Sequence, residues 1–585
     1  MIKKKKKIFN YSFFNHTVKK KKSTKSFFSR QNFIIFIIYF LFLTIIAKLA
    51  YLQIFDYYNL NKYANNVVYK ESTEKQKRGS ILDRNGNVLA MSVKRYKLYL
   101  DAKMIKDLKE IEDFLKKFNI TLDSLHKELI KQKKSYIPVQ NNLSEQTALE
   151  IESAKIEGIG LESTYSRVYP EKKLAAHVIG KVNSQEIGTY GIEKFCNNQL
   201  TGENIKRSQY KIGGKKVFSD SLSDKNYDTA NDIKLTIDRK LQFIVEEELE
   251  NGLKKTKSKK AVAIIQNPHN GEILAMASLP TYNPNEPVKD LNALKNGAIS
   301  NAAEPGSTFK IVIVSAVLEE GLFKLYDKVN CENGKMKVAG QIIRDHDKQK
   351  IITVKQILEY SSNIGTAKLA LKLGEEKFYK YIRLFGFNSM TGIELTGEEK
   401  GLLATTDRWS KRSLHTISFG QEMFATPLQT VNAFSTIANG GVLLKPRIIK
   451  SIGEKQYDSP EPVRRVIDQD TAYKVRQALE GVIKNGTGKS AKISGYSVGG
   501  KTGTAQKFDM QLKKYSKKHY MASFCGMIPA MNPEIVILVI FDEPGSADYY
   551  ASSVAAPVFA KIAERATEYL KITPDQISTK KGAKK

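Results

Sequence analysis

The chain has 585 residues, 41% of them hydrophobic and 10% aromatic, which excludes a disordered or fibrous protein and leaves room for about two to four domains. The formal net charge is +33, and a conspicuous share is local: residues 1–32 hold ten Lys, one Arg and no acid. Three cysteines (Cys196, Cys331 and Cys525) point to buried free thiols and not to a disulfide framework.

In chain order, the basic tail 1–32 fits either nucleic-acid binding or the cytoplasmic flank of a membrane segment. The next segment favours the flank. Phe33–Phe55 is a run of 23 residues with Lys48 as its only charge, and a helix needs about 20 residues to cross the hydrocarbon. Because the basic flank precedes the span, the N-terminus is expected in the cytoplasm and the rest outside, with no nucleic-acid partner. Lys48 lies near the far end, where it can snorkel to the interface. A cleaved signal peptide fits less well, since Lys48 and Ala50 make a poor cleavage pair before Tyr51.

Residues 56–230 are polar and mixed. Arg78–Ser92, "RGSILDRNGNVLAMS", reads as two strands around an Asn-Gly turn. Residues 103–155 read as helical and charged. A second domain, 231–570, is expected to open near Asn231. Leu241, Ile244, Val245, Leu249 and Leu253 follow a helical period. Ala261–Ser278 reads as a hairpin with Asn-Gly in its turn. "GYSVGGKTGTAQKF", "YMASFCGMI" and "EIVILVIFDEP" predict three further strands, and "SSVAAPVFAKIAERATEYL" a closing helix. Strands at both ends with helices between predict an α+β domain around one antiparallel sheet. Residues 571–585 read as a basic disordered tail.

The chemistry starts at "AAEPGSTFK", Ala302–Lys310, which leads into the apolar run "IVIVSAVL". Pro305-Gly306 breaks the preceding chain, and a buried helix is predicted from about Ser307 to Glu320, stopped by Gly321. Ser307 and Lys310 stand at i and i+3, on one face of its first turn. A serine hydroxyl needs a base, and a lysine desolvated beside other cations has a lowered pKa and can be that base. Ser-x-x-Lys alone is more often a helix cap and a snorkelling lysine. Here Ser361-Ser-Asn363 stands 54 residues on, and Lys501-Thr-Gly-Thr504 another 140 beyond, on a predicted strand. The ordered set Ser-x-x-Lys, Ser-x-Asn, Lys-Thr-Gly is the signature of penicillin-binding proteins and serine β-lactamases.

From about Arg78 to Ile562 the chain resembles the class B penicillin-binding proteins. The first extracytoplasmic segment carries "RGSILDRNG" (Arg78, Gly79, Asp83, Arg84, Gly86), "RVYP" and "GTYGIE" (Gly188, Gly191, Glu193). The second carries "TIDRKLQ", "EPGSTFK", "SSN" and "GKTGT". Two positions depart from the family pattern: Lys172 stands where a Gly is frequent, and Gly297 where an Arg is frequent. The resemblance implies a transmembrane anchor, an elongated mixed pedestal (56–230) and a serine transpeptidase domain of penicillin-binding, β-lactamase-like fold (231–570). It implies D,D-transpeptidation of peptidoglycan stem peptides ending in D-Ala-D-Ala, with penicillin and other β-lactams as inhibitors. It requires no cofactor and no metal.

The same resemblance implies the roles. Ser307 is the nucleophile and Lys310 its base. Ser361 relays a proton to the leaving amine with help from Lys501, and Asn363 orients the donor peptide and Lys310. Thr502, Gly503 and Thr504 form the substrate-binding strand, and the backbone N–H groups of Ser307 and Thr504 form the oxyanion hole. Glu304 before Pro305, "SFGQEMFATPLQ" and "AAPVFAKI" resemble the division type more than the elongation type. That implies septal work beside a polytopic glycan polymerase and other division proteins.

Three competing patterns are weaker. "GYSVGGKT" matches a phosphate loop and "GYSVG" a nucleophile elbow around Ser497, but both need a helix next in the chain, and a strand is predicted instead. Asp345-His346-Asp347 suggests a metal site, yet on a Lys-rich loop it reads as a hydrogen-bonded turn. Among other functions, a β-lactamase needs no anchor or pedestal, a β-lactam sensor usually needs a cytoplasmic output domain, and a scaffold needs no Ser307 or Lys310.

Overall fold

The computed structural model describes residues 30–61, 69–74, 77–202, 205–212, 215–219, 230–509, 514–545 and 548–576. The basic stretches 1–29 and 577–585 lie outside the described residues. The chain falls into two units, Met1–Lys75 with Asn204–Asn226, and Gln76–Glu203 with Tyr227–Lys585.

The first unit holds the helix Arg30–Ala50, continued by a wider turn over Tyr51–Phe55. Its apolar side chains are exposed along its length. Asn32–Phe55 is long and apolar enough to cross a membrane. The unit also holds a three-stranded sheet of Tyr69–Glu74, Ile205–Ile212 and Lys215–Ser219.

In the second unit the strands Ile81–Leu82 and Val88–Leu100 pair across the Asp83–Asn87 turn, as the Asn-Gly signal predicts. The backbone N–H groups of Asn85 and Asn87 both donate to the Asp83 carboxylate, at 2.8 Å each. The 103–155 region is less helical than expected. Leu108–Lys116, Ser124–Lys131 and Glu145–Ser153 are helices, but Ile137–Leu143 is a strand paired with Val88–Leu100. Its alternation Ile137, Val139 is only two residues deep, too short to stand out among the lysines. Leu98, Leu100, Ile111, Leu115 and Ile137 close a small separate core here.

The family-like residues of this region meet at one buried carboxylate. Glu193 pairs with Arg78 at 2.7 Å and Arg167 at 2.6 Å, and accepts from the Tyr169 hydroxyl at 3.3 Å. Lys172 takes φ +55°, the left-handed conformation that glycine adopts without strain. The strand Ile81–Leu82 runs parallel to Ile233–Leu235, which pairs with Ile449–Ile452, so one sheet is continuous from the pedestal sequence into the second half of the chain.

The central sheet has five antiparallel strands in the order Ile273–Leu279, Lys260–Gln266, Ile535–Asp542, Lys514–Ile528, Gly499–Asp509. Every residue of Ile535–Phe541 is buried. A strand apolar on both faces needs cover on both. Phe541 faces the helices Arg239–Thr256 and Ala551–Leu570, while Leu538 and Ile540 face the side of Phe424 and Thr430. Gly499–Asp509 is left at the edge, with one side of its backbone unpaired by the sheet.

Candidate active site

The Ser307 segment begins as a tight turn, Gly306–Phe309, and becomes an α-helix over Lys310–Glu319. All of Lys310–Leu318 is buried, as an all-apolar helix requires. Gly420 sits at φ +80°, and a Cβ there would fall 2.3 Å from the Gly306 carbonyl oxygen, so only glycine lets the two chain segments approach this closely. Ser307 is half-buried within the Gly306–Phe309 turn.

Lys310 is fully buried and points across to the second motif. Its Nζ donates to the Ser361 carbonyl at 2.5 Å, the Ser361 hydroxyl at 3.2 Å and Asn363 Oδ1 at 2.7 Å. Ser361 itself holds φ +58°, a conformation that costs a non-glycine residue about 1–3 kcal/mol. Ser362 caps the helix Asn363–Leu373. Asp345 reinforces that cap: its carboxylate accepts from the Ser362 hydroxyl at 2.7 Å, the Asn363 N–H at 2.6 Å and the Ile364 N–H at 3.0 Å. The Asp345-His346-Asp347 turn thus serves to hold the second motif, while His346 packs edge-on against Tyr550.

Lys501 projects from the edge strand, also fully buried. Its Nζ donates to the Ser361 hydroxyl at 2.9 Å and to the Thr502 carbonyl at 3.1 Å. Burial pulls the Lys310 ammonium down to about 7, against the Asp345 carboxylate and the Cys331 thiol, which raise it. Lys501 is driven well below the usual lysine range, by burial first and by the Lys310 charge second. Two ammonium groups on one hydroxyl repel, so the pair favours a state with a neutral amine.

Thr502 and Thr504 lie on the strand in register with Phe524 and Ala522. A Cβ at Gly503 would fall 3.0 Å from Thr308 Cγ2 and 3.2 Å from the Pro305 carbonyl oxygen, so the glycine lets the strand lie close over the Ser307 turn. The Thr504 hydroxyl accepts from the Ala551 N–H at 3.0 Å, which leaves its own proton free to donate. Ser307, Asn363 and Thr504 open onto one cleft of about 200 Å³, walled also by Arg344, Arg412 and Phe419. A neighbouring cavity of about 300 Å³ lies behind Glu304 and Pro305 and is not lined by Ser307.

All three motifs therefore meet at one place. Sequence reasoning missed Thr487, whose hydroxyl is 2.8 Å from that of Thr502, and the two arginines of the cleft wall. It also undervalued Asp345. The Lys501 segment continues as a strand and not as a helix, so the phosphate-loop pattern has no helix N-terminus to use. Ser497 is buried and hydrogen-bonded to Asp575, with no place in the cleft. The three cysteines are free and buried.

Comparison with known proteins agrees with this geometry. The penicillin binding protein transpeptidase domain family matches residues 261–564, and the penicillin-binding protein dimerisation domain family matches residues 73–235. Stage V sporulation protein D of Bacillus subtilis is 32% identical over 91% of this chain and 84% of its own length. Peptidoglycan D,D-transpeptidase FtsI of Escherichia coli is 30% identical over 92% of this chain and 91% of its own. Among solved structures, penicillin binding protein 3 of Mycobacterium tuberculosis in complex with aztreonam superposes with a TM-score of 0.67 at 26% identity, covering 86% of this chain and 98% of that one. A peptidoglycan synthetase of Bifidobacterium adolescentis gives 0.71 at 27%, covering 87% and 98%. The chain belongs to the class B penicillin-binding proteins, a family of serine transpeptidases.

Proposed function

We propose that the protein is a membrane-anchored peptidoglycan D,D-transpeptidase that cross-links stem peptides at the division septum. The observation that carries the chemistry is the convergence of Lys310 and Lys501 on the Ser361 hydroxyl beside the Ser307 cleft. The Ser307 hydroxyl attacks the carbonyl between the two terminal D-Ala residues, and neutral Lys310 takes its proton. The oxyanion rests on the backbone N–H groups of Ser307 and Thr504, each such donor being worth about 10²–10³ in rate. Ser361, bonded to both lysines, passes a proton to the departing D-Ala amine. An amine of a second stem peptide then takes the acyl group and frees Ser307. Asn363 orients the donor and Lys310, and the hydroxyls of Thr502 and Thr504 hold the terminal carboxylate while Gly503 keeps their strand in place. β-Lactams acylate Ser307 by the same attack.

The domain division (pedestal 56–230, transpeptidase 231–570), the anchor Phe33–Phe55 with its N-terminus in the cytoplasm, and a polytopic glycan polymerase beside the anchor belong to the same reading. The septal assignment is supported by Glu304 at the position before Pro305-Gly306-Ser307 and by a relative of the FtsI type. Depletion in growing cells tests it. Filaments or chains that replicate without dividing are expected. Rounded, swollen cells that still divide would point to the elongation role instead.

A further inference from the structure

The lining of the Ser307 cleft carries two guanidinium groups and no acid. Arg344 ends the strand Gln341–Arg344, and Arg412 stands immediately before the short helix Ser413–Ile417. Both line the same cleft as Ser307, Asn363 and Thr504. Arg344 is locked to the catalytic centre through its backbone, since its carbonyl accepts from Asn363 Nδ2 at 3.0 Å. Arg412 is held by Gln341, which accepts from its Nη1.

Among the described residues no ion pair involves either guanidinium, and the Nε of Arg412 is buried with no acceptor. The nearby carboxylates bond to other groups. Glu422 accepts from the hydroxyls of Ser413 and Thr416 at 2.6 and 2.7 Å, and Glu304 Oε1 accepts from the Glu422 N–H and the Tyr515 hydroxyl at 2.9 Å each, while its Oε2 is buried without a partner. Asp345 is taken up by the cap of the second motif. Two cations facing one cleft without a counter-ion form a site for an anion, and a planar guanidinium suits a carboxylate.

Resting on the transpeptidase reading, we infer that Arg344 and Arg412 are specificity-determining residues that select stem peptides carrying a second free carboxylate, besides the one at the terminal D-Ala. The terminal carboxylate is assigned to Thr502 and Thr504, of which Thr504 lines the cleft, so the arginine pair is left for another. A stem peptide offers that group in two places: the α-carboxylate of a γ-linked glutamate and the side-chain carboxylate of a carboxylated diamino acid. Converting either to a carboxamide keeps its shape and removes its charge.

The test uses the full-length protein in detergent and four synthetic pentapeptide donors ending in D-Ala-D-Ala: the diacid, each monoamide and the diamide. D-Ala release gives kcat/KM for each. A hydrogen bond to a charged group supports a preference of about tenfold or more for the free acid. The inference expects the diacid to exceed the diamide by that factor, and the weaker of the two monoamides identifies which carboxylate is read. Arg344→Gln with Arg412→Gln should bring the ratio to about one. Equal rates for diacid and diamide, or a preference that survives both substitutions, overturns it. Covalent labelling of the wild type by benzylpenicillin runs alongside. Labelling with no acid preference rejects only the arginine site, whereas absence of labelling rejects the transpeptidase reading and this inference with it.

Discussion

Lys310 and Lys501 aim their ammonium nitrogens at one oxygen, the Ser361 hydroxyl, at 3.2 and 2.9 Å. They come from different elements, 191 residues apart in sequence (501 minus 310), and both are fully buried. Burial makes a second positive charge here costly and favours a neutral amine on one of the two lysines.

The first prediction is therefore a pH profile. Lys310 must be neutral to accept the Ser307 proton, and burial brings its pKa to about 7. The neutral fraction grows as pH rises through that value, so the acylation rate by benzylpenicillin should climb through about pH 7 and level off above. A rate independent of pH between about 5 and 9 contradicts the role. Lys310→Ala should slow acylation by about 10²–10⁴ while the circular dichroism spectrum stays native.

The same shift has a stability consequence. The folded pKa is depressed from 10.5 to about 7, so the native state disfavours the charged lysine. That penalty is present in full below about 7 and is relieved as pH rises towards 10.5, and this group's contribution to stability rises through that window. Lys310→Met should flatten the rise in urea midpoint with pH. An identical slope in wild type and variant would show that Lys310 is not the group responsible.

Thr487 offers a test of carboxylate recognition. Its hydroxyl lies within hydrogen-bond reach of that of Thr502, at 2.8 Å. Thr487→Val should lower the acylation efficiency of carboxylate-bearing substrates by about fivefold to tenfold, the worth of one hydrogen bond, and Thr487→Ser should restore it. Equal losses in both variants would assign Thr487 to packing.

In the pedestal, Glu193→Ala strands Arg78 and Arg167 without their buried counter-ion. Removing one partner of a buried pair costs about 3–5 kcal/mol. Chemical denaturation of the detergent-solubilised protein should show a loss of that size, and a change below about 1 kcal/mol would mean that water reaches the pair.

The three catalytic motifs were legible because each is a short run with a fixed chemical demand. The sheet was legible where strands are uniformly apolar, as in Ile535–Phe541. Ile137–Leu143 was not, because its apolar alternation is brief and its burial comes from Leu98 and Ile111, residues distant in sequence. Thr487 and Arg412 carried no signal of their own. Each acquires meaning only when folding sets it beside Thr502 or the Ser307 cleft. Asp345 was visible in its turn, but its role depends on a helix N-terminus 18 residues on.

The most direct test of the account is covalent labelling of the full-length protein with a fluorescent penicillin, with the adduct located by peptide mapping. Among the described residues Ser307 is the hydroxyl at the head of the buried Lys310 helix that opens onto the cleft, so the adduct should map to the peptide containing Ser307, and Ser307→Ala should carry none. An adduct on another residue, or labelling that persists in Ser307→Ala, would contradict the assignment on which every other role depends.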